Sequence, residues 1–254
     1  MHRFGRISNS VWGFPLLHLR HLYIAIIRPI IAYGCAVWFL RGQGVYWGLS
    51  IALIKQLQSL QYQCLVRVAG AYKQISAQYL LKELHVQPIE IYLEGRAQAA
   101  RARARSPDLD NQTVSLRSFP SVVGNIRKVK VHPYDILDMQ ALNLQRKAKQ
   151  RLLEGNNYRT HAQRQDWGNS KHRAKAISAC VREMGESSAF QLWKDWKVER
   201  QTKRANDQPT LWDDWGKKNL ARYKDLPRAQ SSILLVCRTG VGGLRTHLLK
   251  CKVC

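Results

Sequence analysis

The stretch from Leu49 to Val68 constrains the fold most, because its apolar side chains recur with the period of an α-helix. Successive apolar positions are separated by four or three residues, at Leu49, Leu53, Leu57, Leu60, Cys64 and Val68. This spacing places them on one face of an amphipathic helix. Gly70 follows directly and is suited to end the helix in a left-handed conformation. The stretch therefore predicts a helix of about five turns with one buried face.

Helical patterns also cover most of the remaining chain. Ser76 can cap a short helix, and Pro88 suits the first turn of another that extends to about residue 105. Its predicted apolar face consists of Ile89, Leu93, Ala97, Ala100 and Ala104. Further helices are predicted at 134–153, 171–184 and 187–204. The chain is therefore expected to be mainly α.

Residues 106–133 differ from the rest in composition: they contain prolines and a glycine, and their apolar residues show no helical period. They predict a linker between a helical domain at 1–105 and a looser helical region at 134–254. Within the second region we expect disorder around 155–170. Its apolar content is thinner, which favours a less tightly packed structure.

The chain is strongly basic along its whole length. It carries 41 Lys and Arg against 17 Asp and Glu, a formal net charge of +24. Residues 1–105 hold 13 of the cations and 3 of the acids, so the excess is not confined to a tail. Like charges at this density repel one another and destabilise a compact fold. Proteins with such an excess usually bind a polyanion, which offsets the repulsion. Nucleic acid is the predicted partner, and incidental basic charge is the alternative.

Two features bear on the cellular compartment. The six cysteines have no framework spacing and no secretory signal precedes them, which predicts a reduced intracellular location, nuclear or cytoplasmic. The apolar run from Leu22 to Leu40 has the length of a membrane span but contains Arg28 and Pro29. A central arginine disfavours insertion by roughly 2.5–3.5 kcal/mol. We expect a buried helix, kinked or restarted at Pro29, rather than a membrane span.

Two clusters of cations are the candidate binding residues. The first lies in EGRAQAARARARS and the second in the helix predicted at 134–153; together they comprise Arg96, Arg101, Arg103, Arg105, Arg146, Lys147, Lys149 and Arg151. A stripe of guanidinium groups on a helix could follow phosphates. Cations near a helix C-terminus are also favoured by the macrodipole without any ligand. Both interpretations stay open.

Tryptophans occur in two pairs with helical spacing, Trp193 with Trp196 and Trp212 with Trp215. Such residues can form stacking platforms for bases. The three-residue spacing argues first for packing between helices. We therefore expect them in the core.

The acidic residues give no sign of a polymerase or nuclease centre. Asp135 and Asp138 are three residues apart at the start of a helix, and Asp213 and Asp214 follow Trp212 in a similar position. Acids in a first helical turn favour the dipole and need no catalytic role. A two-metal centre needs carboxylates held together on a scaffold. The sequence predicts no catalytic residues.

Metal and phosphate motifs are also incomplete. His247, Cys251 and Cys254 have ligand chemistry and part of the spacing of a zinc knuckle, but only three ligands are present where structural zinc takes four. RTGVGGL lacks the Lys-Ser/Thr of a phosphate-binding loop and reads as a turn. No metal and no cofactor are predicted.

Several stretches resemble non-LTR (LINE-type) retrotransposon reverse transcriptases of fungal lineage. They are SVWGF, LRHLYIAIIRPIIAYGCAVW and LQYQCLVRVAGAYKQ, followed in order by HPYDILD, WGKKNLARYKDL and RAQSSILLVCRTGVGGL. The matching positions in the first half are Leu19, Arg20, Tyr23, Pro29, Tyr33, Gly34, Trp38, Gln61, Gly70, Ala71 and Lys73. The resemblance implies the part of the polymerase after the palm: a thumb-like helical bundle at 1–105 and a C-terminal region truncated at a knuckle. No RNase H carboxylate set is recognisable between them.

Together these features predict a catalytically incomplete fragment of a transposable-element polymerase, and not an enzyme. The resemblance implies that it retains at most the thumb's non-specific grip on the backbone of template and primer. The partner would be RNA or DNA, with no small-molecule substrate. The alternative is a helical protein-interaction module, or a gene remnant, with incidental basic charge. The oligomeric state stays open.

Overall fold

The structure, a computed structural model, describes residues 7–9, 13–42, 45–47, 50–104, 133–154, 167, 169–203 and 214–239. Helices make up most of these residues, so the prediction of a mainly α protein is confirmed. Side chains of 40–42, 45–47, 133–138, 153–154 and 201–203 are not described. The predicted linker at 106–133 and most of the predicted disorder at 155–170 lie outside the described residues.

Within the described residues, one short β-hairpin lies among helices. In chain order the elements are α1 (Leu16–Leu22), a π-helical turn (Tyr23–Ile27), α2 (Arg28–Ile31), α3 (Cys35–Trp38), β1 (Leu40–Gly42), β2 (Val45–Trp47), α4 (Ile51–Ala69), α5 (Ala77–Glu83), α6 (Ile89–Ala104), α7 (Pro133–Glu154), α8 (Ser170–Lys203), α9 (Lys218–Ala221) and α10 (Arg228–Arg238). The strands β1 and β2 are antiparallel, with Leu40 opposite Trp47 and Gly42 opposite Val45.

The apolar N-terminal run is one helical stretch from α1 through α2. Pro29 has no N–H to donate, and the turn before it widens so that the Arg28 N–H reaches the Tyr23 carbonyl, as in a π-helix. The stretch ends before Gly34, which has a left-handed backbone with φ of +64°. Among the described residues, no helix is long and apolar enough to cross a bilayer.

Helix α4 confirms the predicted helix but buries a different face in its first half. Leu53 is 40% exposed, whereas Ile54 and Gln61 are buried. The helix is rotated in this way because the Gln61 side chain accepts from the Ile89 N–H at 2.8 Å and donates to the Gln87 carbonyl at 2.9 Å. Gln61 thus joins α4 to the start of α6. Periodicity of apolar residues alone cannot show such a polar anchor.

The end of α4 and the starts of the next two helices follow the sequence closely. The buried face of α6 differs from the prediction in its second half, where Ala99 and Ala102 are buried, Ala100 is half-buried and Ala104 is exposed. Gly70 has φ of +64°, and the Ala71 N–H bonds to the Val66 carbonyl at 3.0 Å, which is a Schellman ending. Ser76 is at the N-cap of α5 as predicted, although its side chain makes no capping bond. Helix α6 begins one residue after Pro88.

Helix α8 corrects the prediction of two helices separated near residue 185. It runs without interruption over 34 residues, through Gly185. A glycine inside a helix costs only about 1 kcal/mol relative to alanine. Buried side chains on both sides of it, at Cys180 and Ala189, hold the helix in its packed position. Packing therefore overrides the weak local propensity.

The chain divides into two compact units, each assembled from separate segments. The first unit comprises Met1–Tyr33, Ala52–Ile91 and Glu186–Cys254, and the second comprises Gly34–Ile51 and Tyr92–Gly185. The first has its core around Leu19, Tyr23, Leu65, Leu80 and Leu235. The predicted division at residues 105 and 134 stays a prediction, because the chain between these positions is not described.

Candidate nucleic-acid interface

Three helices of the second unit pack together and leave their outer faces to charged side chains. Parts of α6, α7 and α8 share an apolar cluster of Ala99, Ala102, Ala141, Leu144, Ala148, Trp167, Ala176, Ile177 and Cys180. The Gln145 side chain adds a 2.7 Å bond to the Ala102 carbonyl. Small residues allow close approach: a Cβ on Gly95 would lie 2.7 Å from Val181 Cγ1. The helices thus form a fixed support for the cations that they carry.

Arg101, a predicted phosphate ligand, is directed into the protein. Its guanidinium donates to the carbonyls of Ala36, at 2.8 Å, and Phe39, at 3.1 Å. These carbonyls lie at the end of α3, where backbone acceptors lack helical partners. Arg101 therefore closes a helix end inside the second unit, and we leave it out of the interface.

The other arginines of α6 differ from Arg101. Arg96 and Arg103 are exposed. Arg103 donates to the Ser178 hydroxyl at 2.5 Å, which directs it along the surface of α8. Arg105 lies outside the described residues. The predicted stripe on α6 is thus reduced to Arg96 and Arg103 among the described residues.

Helix α7 carries the second predicted cluster on its solvent side. Arg146, Lys147 and Arg151 are exposed, and Lys149 is half-buried. Arg146 and Lys149 are three residues apart, and Lys147 and Arg151 are four apart, so each pair shares a helix face. Arg151 pairs with Glu183, and this hydrogen bond raises the pKa of its guanidinium. Arg146 and Lys147 are the cations best placed to meet an external anion.

The first half of α8 adds cations that are not among the predicted binding residues. Lys171, Lys175 and Arg182 are exposed on this helix, as is His172. The Asn169 side chain caps the helix by accepting from the Lys171 N–H at 3.0 Å. The missed signal was the four-residue spacing of Lys171 and Lys175 in a segment, 167–182, that contains no Asp or Glu.

The paired tryptophans of α8 are packing residues, as predicted. Trp193 is 2% exposed, and its ring stacks on Trp196 with centroids 5.2 Å apart. Tyr79 meets both rings edge-on, and the Arg200 guanidinium lies 5.2 Å from the Trp196 ring. The aromatic faces are thus occupied by protein groups. Trp215 packs against His85, and Trp212 lies outside the described residues.

The remaining predicted motifs give little chemistry. Asp214 is exposed, with its carboxylate 3.9 Å from Lys197 Nζ. The side chains of Asp135 and Asp138, all of Asp213, and the group of His247, Cys251 and Cys254 lie outside what the structure describes. In the part of the chain that is described, no three His, Cys, Asp or Glu side chains are placed to hold a metal.

A buried ionic network in the first unit was not anticipated from the sequence. Glu83 accepts from Lys82 Nζ at 2.8 Å, from the Tyr223 hydroxyl at 2.8 Å, and from Arg238 Nε at 3.1 Å. Burial raises the pKa of Glu83, but the bonds from Arg238, Lys82 and Tyr223 outweigh it, so the pKa lies below its usual value. All the partners are supplied by this chain, so the network is a structural element.

The first unit contains a second polar cluster, around Glu186. Glu186 receives bonds or charge from His85 Nε2 at 3.3 Å, Trp215 Nε1 at 3.1 Å and Gln87 Nε2 at 3.3 Å. The bond from His85 is the main reason why the pKa of Glu186 falls to about 2. The His85 backbone has φ of 44°, an uncommon conformation for a residue other than glycine. This strained residue is held by Arg20, which donates to the His85 carbonyl at 2.9 Å.

Compared with protein-family models, with curated proteins and with solved structures, the chain matches none. Of the charged surfaces described, the cations of α6, α7 and α8 form the strongest candidate site.

Proposed function

We propose that the second unit binds nucleic acid through its phosphate backbone, without base specificity. The ligating groups are Arg96 and Arg103 on α6, Arg146, Lys147 and Lys149 on α7, and Lys171, Lys175 and Arg182 on α8. Arg101 supports this surface from within by closing α3. Arg151 attracts phosphate less strongly than the other cations, because its charge is already paired with that of Glu183.

The observation that carries the proposal is the segregation of charge on these helices. Residues 95–107, 139–153 and 167–182 contain no Asp or Glu, and their cations are mostly exposed. Exposed cations of the first unit, such as Lys194 and Lys224, have acidic sequence neighbours at Asp195 and Asp225, whereas among the proposed ligands only Arg182 has one, Glu183. Interspersed charges suit a solvated surface, whereas cations without acids attract a polyanion.

The proposed ligands are lysines and arginines, and both residue types bind phosphate without regard to sequence. Base readout by arginine needs its guanidinium fixed in a groove of the nucleic acid. The described tryptophans that could stack on bases are packed against protein. We therefore expect RNA and DNA of any sequence to bind, with an affinity that depends strongly on salt.

The proposal includes the origin suggested by the sequence resemblance, namely the part of a retrotransposon polymerase that grips the template and primer. It assigns no polymerase chemistry, because we find no pair of adjacent aspartates in a palm-like setting in the sequence. In an assay with primer, template, triphosphates and divalent metal, we expect no extension. Template-dependent incorporation by the purified chain would overturn this part.

The interface is tested by exchanging four cations for glutamine at Arg146, Lys147, Lys171 and Lys175. Affinity for a short duplex is measured by fluorescence anisotropy over a range of salt concentrations. Each phosphate contact contributes about 0.9 to the slope of log affinity against log salt. We expect the slope to fall by about 3–4, with helical content unchanged because glutamine is a comparable helix former.

The matched control exchanges four exposed lysines of the first unit, Lys194, Lys217, Lys218 and Lys224, for glutamine. It makes the same change in net charge. If the control lowers the slope as much as the interface variant, binding depends on overall charge and the proposed surface is wrong. Binding that is insensitive to salt would favour the protein-interaction alternative.

A further inference from the structure

Arg151 of α7 and Glu183 of α8 form an ion pair at the surface of the second unit. Glu183 Oε2 accepts a hydrogen bond from Arg151 Nη1. Both side chains are open to solvent, with exposures of 49% for Arg151 and 65% for Glu183. A carboxylate and a phosphate accept the same kind of hydrogen bond from a guanidinium. Glu183 therefore takes a position on Arg151 that a phosphate oxygen could take.

The pair lies beside the proposed phosphate ligands. Arg151 follows Lys147 by four residues, so the two share a face of α7. On α8, Glu183 directly follows the acid-free stretch 167–182, which supplies Lys175 and Arg182. The carboxylate thus brings a negative charge to the edge of a basic surface and repels a polyanion there.

An exposed ion pair holds its partners only weakly. Water and salt screen such a pair, so its net contribution to stability is small. A phosphate could therefore replace Glu183 on Arg151, but the released carboxylate would stay next to the phosphate and repel it. These opposing effects leave little gain in affinity from Arg151 while Glu183 is charged.

We propose that Glu183 is an internal competitor for phosphate, which keeps Arg151 out of the contact with the nucleic-acid backbone and limits the affinity. The inference rests on the proposed function and concerns the regulation of the same surface. Removing the carboxylate charge makes Arg151 available for one further phosphate. The ligand with which Glu183 competes is a phosphodiester of RNA or DNA, bound without regard to the base.

Glu183→Gln tests the competition in the full chain. Glutamine is similar in size to glutamate and is a comparable helix former, so α8 should be retained. Affinity for a short DNA duplex is measured by fluorescence anisotropy over a range of salt concentrations. We expect the affinity to rise about three- to tenfold at about 0.1 M salt, and the slope of log affinity against log salt to steepen by about 0.9, as for one added phosphate contact.

Replacing Arg151 with glutamine in two backgrounds shows which cation is released. In the Glu183→Gln background, Arg151→Gln should return the slope to that of the parent chain, because the freed cation is lost. In the parent chain, the same substitution should change the slope by less than about 0.3, because Arg151 contacts no phosphate there. Unequal effects in the two backgrounds measure the coupling of the two residues.

The matched control is Asp225→Asn, which makes the same change in net charge at an exposed acid of the first unit. Asparagine also tolerates the left-handed backbone of this residue, whose φ is 60°. The affinity of this variant should stay within about twofold of that of the parent chain, because salt screens the effect of a charge that belongs to the other unit.

The inference is wrong if the parent chain binds duplex with a strong salt dependence and Glu183→Gln changes neither affinity nor slope; the proposed surface then stands. An equal rise in affinity with Asp225→Asn would assign the effect to net charge. A slope that Arg151→Gln lowers equally in both backgrounds would place Arg151 on phosphate in the parent chain already. If the parent chain does not bind duplex, the proposed function fails, and the inference fails with it.

Discussion

The guanidinium of Arg228 donates to the Val68 carbonyl at 2.7 Å and so closes the C-terminus of α4 from α10. The same group reaches the carbonyls of Arg67 at 2.9 Å, Asn9 at 3.1 Å and Ser8 at 3.3 Å. One buried side chain thus joins three segments that are far apart in sequence. Burial lowers the pKa of Arg228 to about 10, so it stays charged at neutral pH.

Replacing Arg228 with methionine should destabilise the first unit by about 2–4 kcal/mol. Methionine keeps most of the stem but leaves four carbonyls without this donor, and relief of the buried charge offsets only part of the loss. Urea denaturation followed by circular dichroism measures the change. The control Lys224→Met removes an exposed cation from the same unit and should change stability by less than about 0.5 kcal/mol. Equal stabilities would show that water replaces Arg228 fully.

Gly70 should tolerate no side chain. Its φ of +64° strains any residue with a Cβ, and a Cβ there would overlap the Ser232 hydroxyl and lie 3.0 Å from Arg228 Nη2. We expect Gly70→Ala to lower the free energy of unfolding by at least about 1–2 kcal/mol. Gly216→Ala is the control, since a Cβ there meets nothing within 4 Å. A neutral Gly70→Ala would mean that α4 and α10 separate readily.

The Arg101→Gln variant tests whether Arg101 has a structural role or binds the ligand. The variant loses the bonds to the Ala36 and Phe39 carbonyls and should be less stable by about 1–3 kcal/mol. The slope of log affinity for duplex against log salt should stay as it was. A slope reduced by about 0.9, with stability unchanged, would instead place Arg101 on the phosphate backbone.

The sequence predicted helices better than it predicted faces and partners. Gly70 and Pro88 carry local signals, because a left-handed backbone and a missing N–H act within one turn, and the helix boundaries there are right. Gln61, Arg101 and Arg228 are polar and far in sequence from the carbonyls that they bind. Their burial depends on tertiary contacts, so a pattern of apolar residues assigns them to the surface. The cations of α8 could not be predicted for the same reason. They become part of a candidate site only through the tertiary packing of α6 and α7 against α8.

We expect a conservative substitution of Glu83 to lower the free energy of unfolding substantially. Glu83→Gln keeps the shape but removes the negative charge that neutralises Lys82 and Arg238. Breaking one partner of a buried ionic group typically costs about 3–5 kcal/mol. The double variant Glu83→Gln with Lys82→Met removes one of the stranded cations and should recover part of the loss. The single Lys82→Met variant completes a double-mutant cycle: if the two single losses simply add, the residues are not coupled and the network does not act as a unit.

Glu186 predicts how stability depends on acid. Its pKa is lowered from the usual 4.5 to about 2, chiefly by the bond from His85, so the folded state keeps the carboxylate charged where the unfolded chain would be protonated. Its contribution to stability is therefore complete above about pH 4.5 and is lost as the pH falls towards 2. In Glu186→Gln, stability should fall less steeply over this range than in the parent chain.

His85→Asn tests the cause of the shift, because asparagine tolerates the left-handed backbone at this position but cannot supply the imidazole. The pKa of Glu186, followed through its carboxyl carbon by NMR, should rise towards 4.5 in this variant, and stability should then fall less steeply with acid, as in Glu186→Gln. A Glu186 pKa that stays near 2 after the substitution would assign the shift to Trp215 and Gln87 instead of His85.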